Sequence, residues 1–459
     1  MANQVSIQTL IHRLRTRLRT FGTATGGNVV MTFALATVPM IGFVGSAVDY
    51  SRGNSTKAAL QSAIDATGLM LSKEAATLTQ SQIDQKASAY FHALFTRPEV
   101  TNLTLTTAYT TTGGSQVVVT ATGQVPTTFM KIMGFSTLNI DATSTVKWGN
   151  TRLRVALVLD NTGSMSQSSK LTALKTATKN LLTQLQSAAV TNGDVYVSII
   201  PFVKDVNVDG VNYNQTWVDW TDWDANNGSC SNNNYSTKYS CSVQHSHTWT
   251  PANHNTWNGC VTDRGDPIWN VPNNPAPSSQ NTDTNVVPPA SGNPASQFAA
   301  EQYSPCPQAV MPLSYNWSGM TTLVNNMTAG GNTNQAIGLQ MGWMSLVGGG
   351  VFPPPPAMAT GFTYKQVIIL LTDGLNTQDR WYTSQTSIDA RQQMTCTNAK
   401  NAQMIIYTAQ VNTGNDPTSN LLRNCATDTG KFFLLTSSNQ IVTTFQQIGT
   451  ELSNLRVAR

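Results

Sequence analysis

Leu153 to Asp160 reads LRVALVLD, and the chain runs from it directly into Asn161-Thr162-Gly163-Ser164. A nearly continuous apolar run that stops at a turn is the pattern of a strand buried on both faces of a sheet. Lys170 to Ala189 follows, with Leu171, Leu174, Ala177, Leu181, Leu182 and Leu185 at helical spacing. Two more such strands are Asp194–Phe202 (DVYVSIIPF) and Gln366–Asp373 (QVIILLTD), with a fourth at Gln403–Val411 and a shorter one at Lys431–Leu435. Helical patterns fill the gaps at Thr321–Leu346, on either side of Gly330-Gly331, and at Leu421–Ala426 and Gln440–Leu455. Strands alternating with helices predict an α/β domain over 151–459: a doubly wound, mostly parallel sheet with helices on both faces.

Residues 204–312 interrupt that rhythm. They hold six of the ten Trp and four of the six Cys, and show no hydrophobic period. A segment this long is not a plain loop, so it reads as a disulfide-stapled insertion. Its Trp217, Trp220, Trp223, Trp249, Trp257 and Trp269 serve either as a small core of its own or as a ligand surface. No Cys stands in a C-x-x-C pair, which disfavours a zinc ribbon or a thioredoxin-type motif. Cys396 and Cys425 flank a predicted strand and are expected to pair. Cys230, Cys241, Cys260 and Cys306 leave three pairings open.

Upstream, residues 50–95 carry an Ala-rich apolar face that predicts a helix up to Pro98. Thr101–Tyr109 and Ser115–Thr122 alternate around Thr112-Gly113-Gly114, a hairpin signal, and Leu138–Trp148 adds a third strand. The expected unit over 49–150 is therefore a helical stalk with a small sheet. Before it, Val29–Val48 (VVMTFALATVPMIGFVGSAV) is uncharged, and 20 residues at about 1.5 Å each span about 30 Å, the thickness of a bilayer core. A buried core helix and a cleaved signal peptide are the alternatives to a retained anchor at 29–48.

The formal charge of +4 resides in Arg13, Arg15, Arg17 and Arg19, so the body beyond residue 28 is neutral. That excludes a general nucleic-acid binder, which needs a basic face across the fold. Basic residues stay cytoplasmic, so 1–28 reads as a cytoplasmic segment and 49–459 as an exported body, with a bacterial inner membrane as the expected location. Only 11% of the chain is charged, against about 25% in ordinary globular domains. With 8% aromatic residues, that composition excludes disorder.

In an open parallel sheet, ligands bind beyond the carboxyl ends of the strands. That rule singles out Asp160, Thr162 and Ser164, which alternate and can point one way, and Asp373 after the third strand. Thr333, in Gly330-Gly331-Asn332-Thr333-Asn334, can add a further hydroxyl. Two carboxylates and three hydroxyls suit a hard divalent cation, Mg²⁺ first and Mn²⁺ or Ca²⁺ next. Taken singly, Asp160 and Asp373 could instead be helix N-caps. A nucleophilic Ser164 lacks the G-x-S-x-G elbow, and all five His lie outside residues 153–203 and 313–455. Asp160-Asn161-Thr162 also lacks the second Asp of an aspartyl-phosphate phosphatase. His245, His247 and His254 read as a solvated loop, and the run from Asp222 to Gly228 as a poor calcium loop, with Asn233 where a Glu is needed.

LVLDNTGSMS resembles the D-x-S-x-S signature of von Willebrand factor A domains, with Thr162 replacing the first Ser. The resemblance covers 153–203 and 313–455. It implies that Asp160, Thr162, Ser164, Thr333 and Asp373 form a metal-ion-dependent adhesion site (MIDAS). The segment GNVVMTFALATVPMIGFVGSAVDYSRGNSTKAALQSAIDATGLM resembles the N-terminal segment of TadE/TadG-like proteins of Tad (Flp) pilus assembly. No Glu stands at the fifth residue after Gly26 or Gly27, as pilin-like precursors require, which argues against processing as a pseudopilin. Together these resemblances imply a membrane-anchored, metal-dependent protein-binding component of pilus assembly. Its partner would be a pilus or secretion-apparatus component, and no reaction would be catalysed. A surface adhesin gripping glycan or matrix through the Trp-rich insertion is the first alternative, and a metal-dependent hydrolase the second.

Overall fold

The computed structural model describes residues 16, 28–112, 114–149, 151–189, 191–265, 283–414 and 416–457. The basic run Arg13–Arg19, Thr16 apart, and Trp269 lie outside them. The chain divides into two compact units, Met1–Lys147 and Trp148–Arg459.

In the first unit, helix α1 (Asn28–Leu71) runs unbroken through Pro39 for 44 residues, about 66 Å. Its early side chains, Val30, Phe33, Leu35 and Phe43 among them, are exposed, whereas Leu60, Ala63, Ile64 and Leu71 are buried. Among the described residues it is the one helix long and apolar enough to cross a membrane. The single helix expected over 50–95 is two. Thr79 forms a capping box with Gln82 and starts α2 (Gln80–Leu94), and Glu74 in the break pairs with Lys86 and accepts from the Tyr90 hydroxyl at 2.6 Å. A strong start signal thus competes with the continuing Ala-rich pattern. Ile83, Ala87 and Phe91 of α2 are buried, as are alternate residues Val117, Val119 and Ala121 of the sheet. That sheet is ordered β1 (Thr101–Thr110), β2 (Ser115–Pro126), β3 (Thr137–Trp148), and its first pair is antiparallel.

The second unit is built on an eight-stranded sheet. Its strands are β4 (Thr151–Asp160), β5 (Val195–Phe202), β6 (Val206–Asn207), β7 (Cys260–Val261), β8 (Met311–Ser314), β9 (Thr363–Thr372), β10 (Ile405–Val411) and β11 (Phe432–Leu435). The order is β7-β6-β5-β4-β9-β10-β11, with β8 paired antiparallel to β5. From β5 to β11 every neighbouring pair is parallel. Leu153, Val155, Leu157 and Leu159 face one core with α3 (Lys170–Ala188), α4 (Trp317–Asn326) and, later in the chain, the helix Asn439–Val457. Ala156 and Val158 face the other, with α5 (Gln335–Val347), α6 (Gln385–Asn401) and α7 (Asn420–Cys425). The alternation of β4 between two cores explains why its sequence is apolar throughout.

α5 is buried from Gln335 to Leu346. A Cβ on Gly338 would fall 2.7 Å from Phe202, and one on Gly342 only 2.4 Å from Val158, so the helix sits directly on β5 and β4 because those positions are Gly. Cys396 and Cys425 are joined, as expected, and tie α6 to α7. The pairings that sequence leaves open are Cys230–Cys241 and Cys260–Cys306. Trp217, Trp223 and Trp257 are buried, not in a separate core of the insertion but in the same core as Ala156, Val158 and α5, and Trp220 stacks on His254. The Asp222 carboxylate is taken by Arg380 at 2.5 Å rather than by a calcium loop.

Candidate metal centre

β4 and β9 are parallel neighbours in register, Leu159 opposite Leu371, so both end at the same rim. Asp160 closes β4, and Asp373 directly follows β9. Side chains 213 positions apart in sequence thereby arrive together, without either strand bending toward the other.

The 160–164 turn is held from its own residues and from β9. The Thr162 backbone N–H donates to Asp160 Oδ1 at 2.7 Å, and the Thr372 hydroxyl donates to Asp160 Oδ2 at 2.6 Å. Thr162 and Ser164 hydroxyls are 3.1 Å apart, and Ser164 Oγ donates to Asp373 Oδ1 at 2.6 Å. Asp160, Thr162, Ser164 and Asp373 therefore belong to one local network of hydrogen bonds. Asp160, Thr162 and Asp373 are buried, and Ser164 is half-buried.

Thr333 comes from the loop before α5. That loop docks on the turn through two backbone bonds: Gly330 N–H to the Asn161 carbonyl at 2.8 Å, and Gly163 N–H to the Gly331 carbonyl at 3.0 Å. Thr333 is buried, its N–H donating to the Thr377 hydroxyl at 2.8 Å and its carbonyl accepting from the N–H groups of Thr377 and Gln378. Its own hydroxyl takes no part in the bonds linking the other four. Gln378 also lines a polar cavity of about 330 Å³ with Lys204, Asp222, Glu301 and Arg380.

Sequence reasoning misses two members of the cluster. Thr372 anchors Asp160, as described. Lys170, the first residue of α3, reaches Asp373 Oδ2 with its Nζ at 2.5 Å, and both side chains are buried. A signal for Lys170 exists: a cation in the first turn of a helix opposes the helix dipole, so a partner acid is needed to hold it there. Ser168 and Ser169, at φ 52° and 56°, turn the chain so that α3 begins at this lysine.

Burial first, then the nearby Asp373 charge, pushes the Asp160 carboxyl up to about 7, against the lowering effect of its Thr162 and Thr372 bonds. Two carboxylates held this close favour any cation that can sit between them. Lys170 supplies one positive charge, on one side only. The donor set of carboxylate and hydroxyl oxygens fits a hard divalent ion. Among the described residues no group of three or more His, Cys, Asp or Glu side chains is arranged to hold a metal, so any ion at this rim would depend on the hydroxyls as well as the two carboxylates.

Residues 27–70 match the family described as putative Flp pilus-assembly TadE/G-like. No curated protein matches the chain. Among solved structures, the pilus adhesin SpaC from Lactobacillus rhamnosus GG is similar at TM-score 0.37 and 13% identity, over 79% of this chain and 36% of SpaC. The chain thus spans about a third of that protein's length. The von Willebrand factor domain of the type V pili tip protein Mfa5 from Porphyromonas gingivalis is similar at TM-score 0.36 and 10% identity, over 67% of this chain and 97% of that one. Proximal thread matrix protein 1 from the mussel byssus, with a zinc-occupied MIDAS motif, is similar at TM-score 0.33 and 13% identity, over 67% of this chain and 47% of that one.

Proposed function

We propose that this chain is a membrane-anchored, protein-binding component of Tad (Flp) pilus assembly, carrying a von Willebrand A-like domain with a MIDAS-type site. Asp160, Thr162, Ser164, Thr333 and Asp373 would hold a divalent cation, with Mg²⁺ the best fit to the oxygen donors. The observation that carries the reading is the convergence of Asp160, Ser164 and Asp373 at one sheet rim, from segments far apart in sequence. The apolar first part of α1 and the family match at 27–70 support the anchor and the pilus setting.

The cation would supply an open coordination position for an acidic side chain of the partner. The chain's own residues do the rest. Thr372 and the Thr162 N–H fix the Asp160 carboxylate, and Ser164 orients Asp373. Lys170 keeps the rim from carrying two uncompensated buried carboxylates when no other cation is there. No His belongs to the network, and the Asp373 carboxylate that accepts from Ser164 is itself paired with Lys170. The glycan-gripping alternative is left with a smaller surface, because Trp217, Trp223 and Trp257 are buried while Trp220 and Trp249 are half-buried.

Membranes solubilised with and without chelator test this reading. The full chain is expected to retain a pilus or secretion-apparatus component in Mg²⁺ and to release it in chelator, and Asp160→Ala should behave as if chelated throughout. Retention indifferent to both would end the proposal. Alkaline phosphatase fused after residue 150 should be active outside the cytoplasm; an inactive fusion reverses the orientation.

A further inference from the structure

Between β2 and β3 the first unit carries a short turn, Met130–Met133, none of whose side chains is buried. Ile132 is 82% exposed, Phe135 60% and Met133 54%. The turn leans on α1 through small residues: a Cβ on Gly45 would fall 2.4 Å from Phe129, and one on Gly42 would meet Met133 Sδ at 3.4 Å. Ser46 Oγ lies 3.7 Å from the same sulfur. An open apolar groove of about 540 Å³ runs between Pro39, Ile41 and Phe43 on the helix and Phe129, Ile132 and Met133 on the turn.

Asp49 fixes the turn in place. Its buried carboxylate accepts from the backbone N–H groups of Thr128, Phe129 and Met130 at 2.8 to 3.1 Å. Four more amides close internally: Thr127 to the Ser136 carbonyl, Ile132 to Phe129, Gly134 to Lys131 and Phe135 to Met130. Irregular backbone survives in hydrocarbon only when its polar groups are satisfied within the protein, as these seven amides are. Its depth follows from its contacts. Gly42 lies six residues before Val48, so Met133 packs about 9 Å inside the end of a span at 29–48. Lys131, exposed on the turn, has the length to return its ammonium to the headgroups.

We propose that the Phe129–Phe135 turn is a membrane-inserted wedge, with Ile132, Met133 and Phe135 among the lipid acyl chains beside the outer end of the 29–48 span and Asp49 as the clasp that holds them there. This rests on reading 29–48 as a span.

All six cysteines are disulfide-bonded, so a single introduced Cys is the one thiol available for labelling. The full chain, bimane-labelled at Ile132→Cys and reconstituted in phosphatidylethanolamine–phosphatidylglycerol vesicles, should lose fluorescence to doxyl-lipid and resist aqueous iodide. A label at Met358→Cys, exposed on the second unit, should do the opposite. Phe43→Cys reports the span itself. If Phe43 is quenched by doxyl-lipid and Ile132 is not, the wedge is wrong and the span stands. If neither is quenched, the span reading fails and takes the wedge with it. A label at 132 shielded from both quenchers means that protein, a second copy or another helix, fills the groove, which overturns lipid as the occupant. Asp49→Ala should restore iodide access at 132 while leaving Phe43 unchanged; unaltered quenching at 132 would remove Asp49 from its role.

Discussion

Asp49 and Asp373 are both carboxylates with almost no exposure, and they are satisfied in opposite ways. Asp49 binds three consecutive backbone N–H groups. Those donors cannot leave without unfolding the turn, so the acid is a permanent fixture. Asp373 binds a hydroxyl and an ammonium, each at the end of a side chain. Such donors can rotate away and be replaced. The same functional group, buried to the same degree, is pinned by the main chain in one region and held by movable side chains in the other. What decides between them is whether the partner atoms belong to the main chain or to side chains.

The sharpest way to break this comparison is Lys170→Met. Removing one partner of a buried pair leaves an uncompensated charge and should cost about 3 kcal/mol in the absence of divalent ions. Mg²⁺ should recover much of that loss; a variant as stable as the parent in chelator, measured by denaturant titration, would show that Asp373 does not depend on Lys170. Next in size is the stabilisation by Mg²⁺ itself, about 2.7 kcal/mol at a hundredfold excess over Kd. Asp160→Ala and Asp373→Ala should each abolish it in a thermal melt, and persistence of the shift would place the ion elsewhere. Thr333→Ala sharpens the contrast further. Its hydroxyl is outside the ion-free network, so stability in chelator should hold while Mg²⁺ affinity falls about tenfold, or 1.4 kcal/mol. Equal loss in both conditions would make Thr333 merely structural.

Asp379 is an intermediate case. It accepts from the backbone N–H groups of Trp381 and Tyr382, as Asp49 does from its turn, yet burial and then the Asp263 charge push it from 3.8 to about 7. A folded-state value above the unfolded one means stability present at low pH and lost as pH rises through about 7. Asp379→Asn keeps the Oδ1 acceptor and should exceed the parent in stability at pH 8 by about 1 kcal/mol, the worth of less than one pKa unit. Parallel pH–stability curves for the two proteins would rule out Asp379 as a titrating group.

Much of this arrangement can be read from the chain. The parallel strands are legible because each is apolar over its buried length, and an acid at or just after two of their ends marks the rim. Cys396 and Cys425 are legible as a pair because they flank a strand. Lys170 is hidden by its position: as the first polar residue of an amphipathic helix it looks like solvent-facing charge, and only the left-handed turn at Ser168 and Ser169 sends it inward. The Asp49 clasp is hidden for another reason. Its partners are main-chain amides 79 to 81 residues away, and a backbone amide carries no signature in sequence. The break between α1 and α2 is visible in hindsight as Thr79 and Gln82, a start signal inside a helical pattern.

One consequence of the bare glycine face of α5 remains. With no side chain at Gly338 or Gly342 to flex between helix and strands, pressure on the loop carrying Thr333 cannot be absorbed by a rotamer change. The loop either holds or drags the whole helix with it. Displacing that loop therefore means sliding α5 over Phe202 and Val158, the side chains on which its glycines rest.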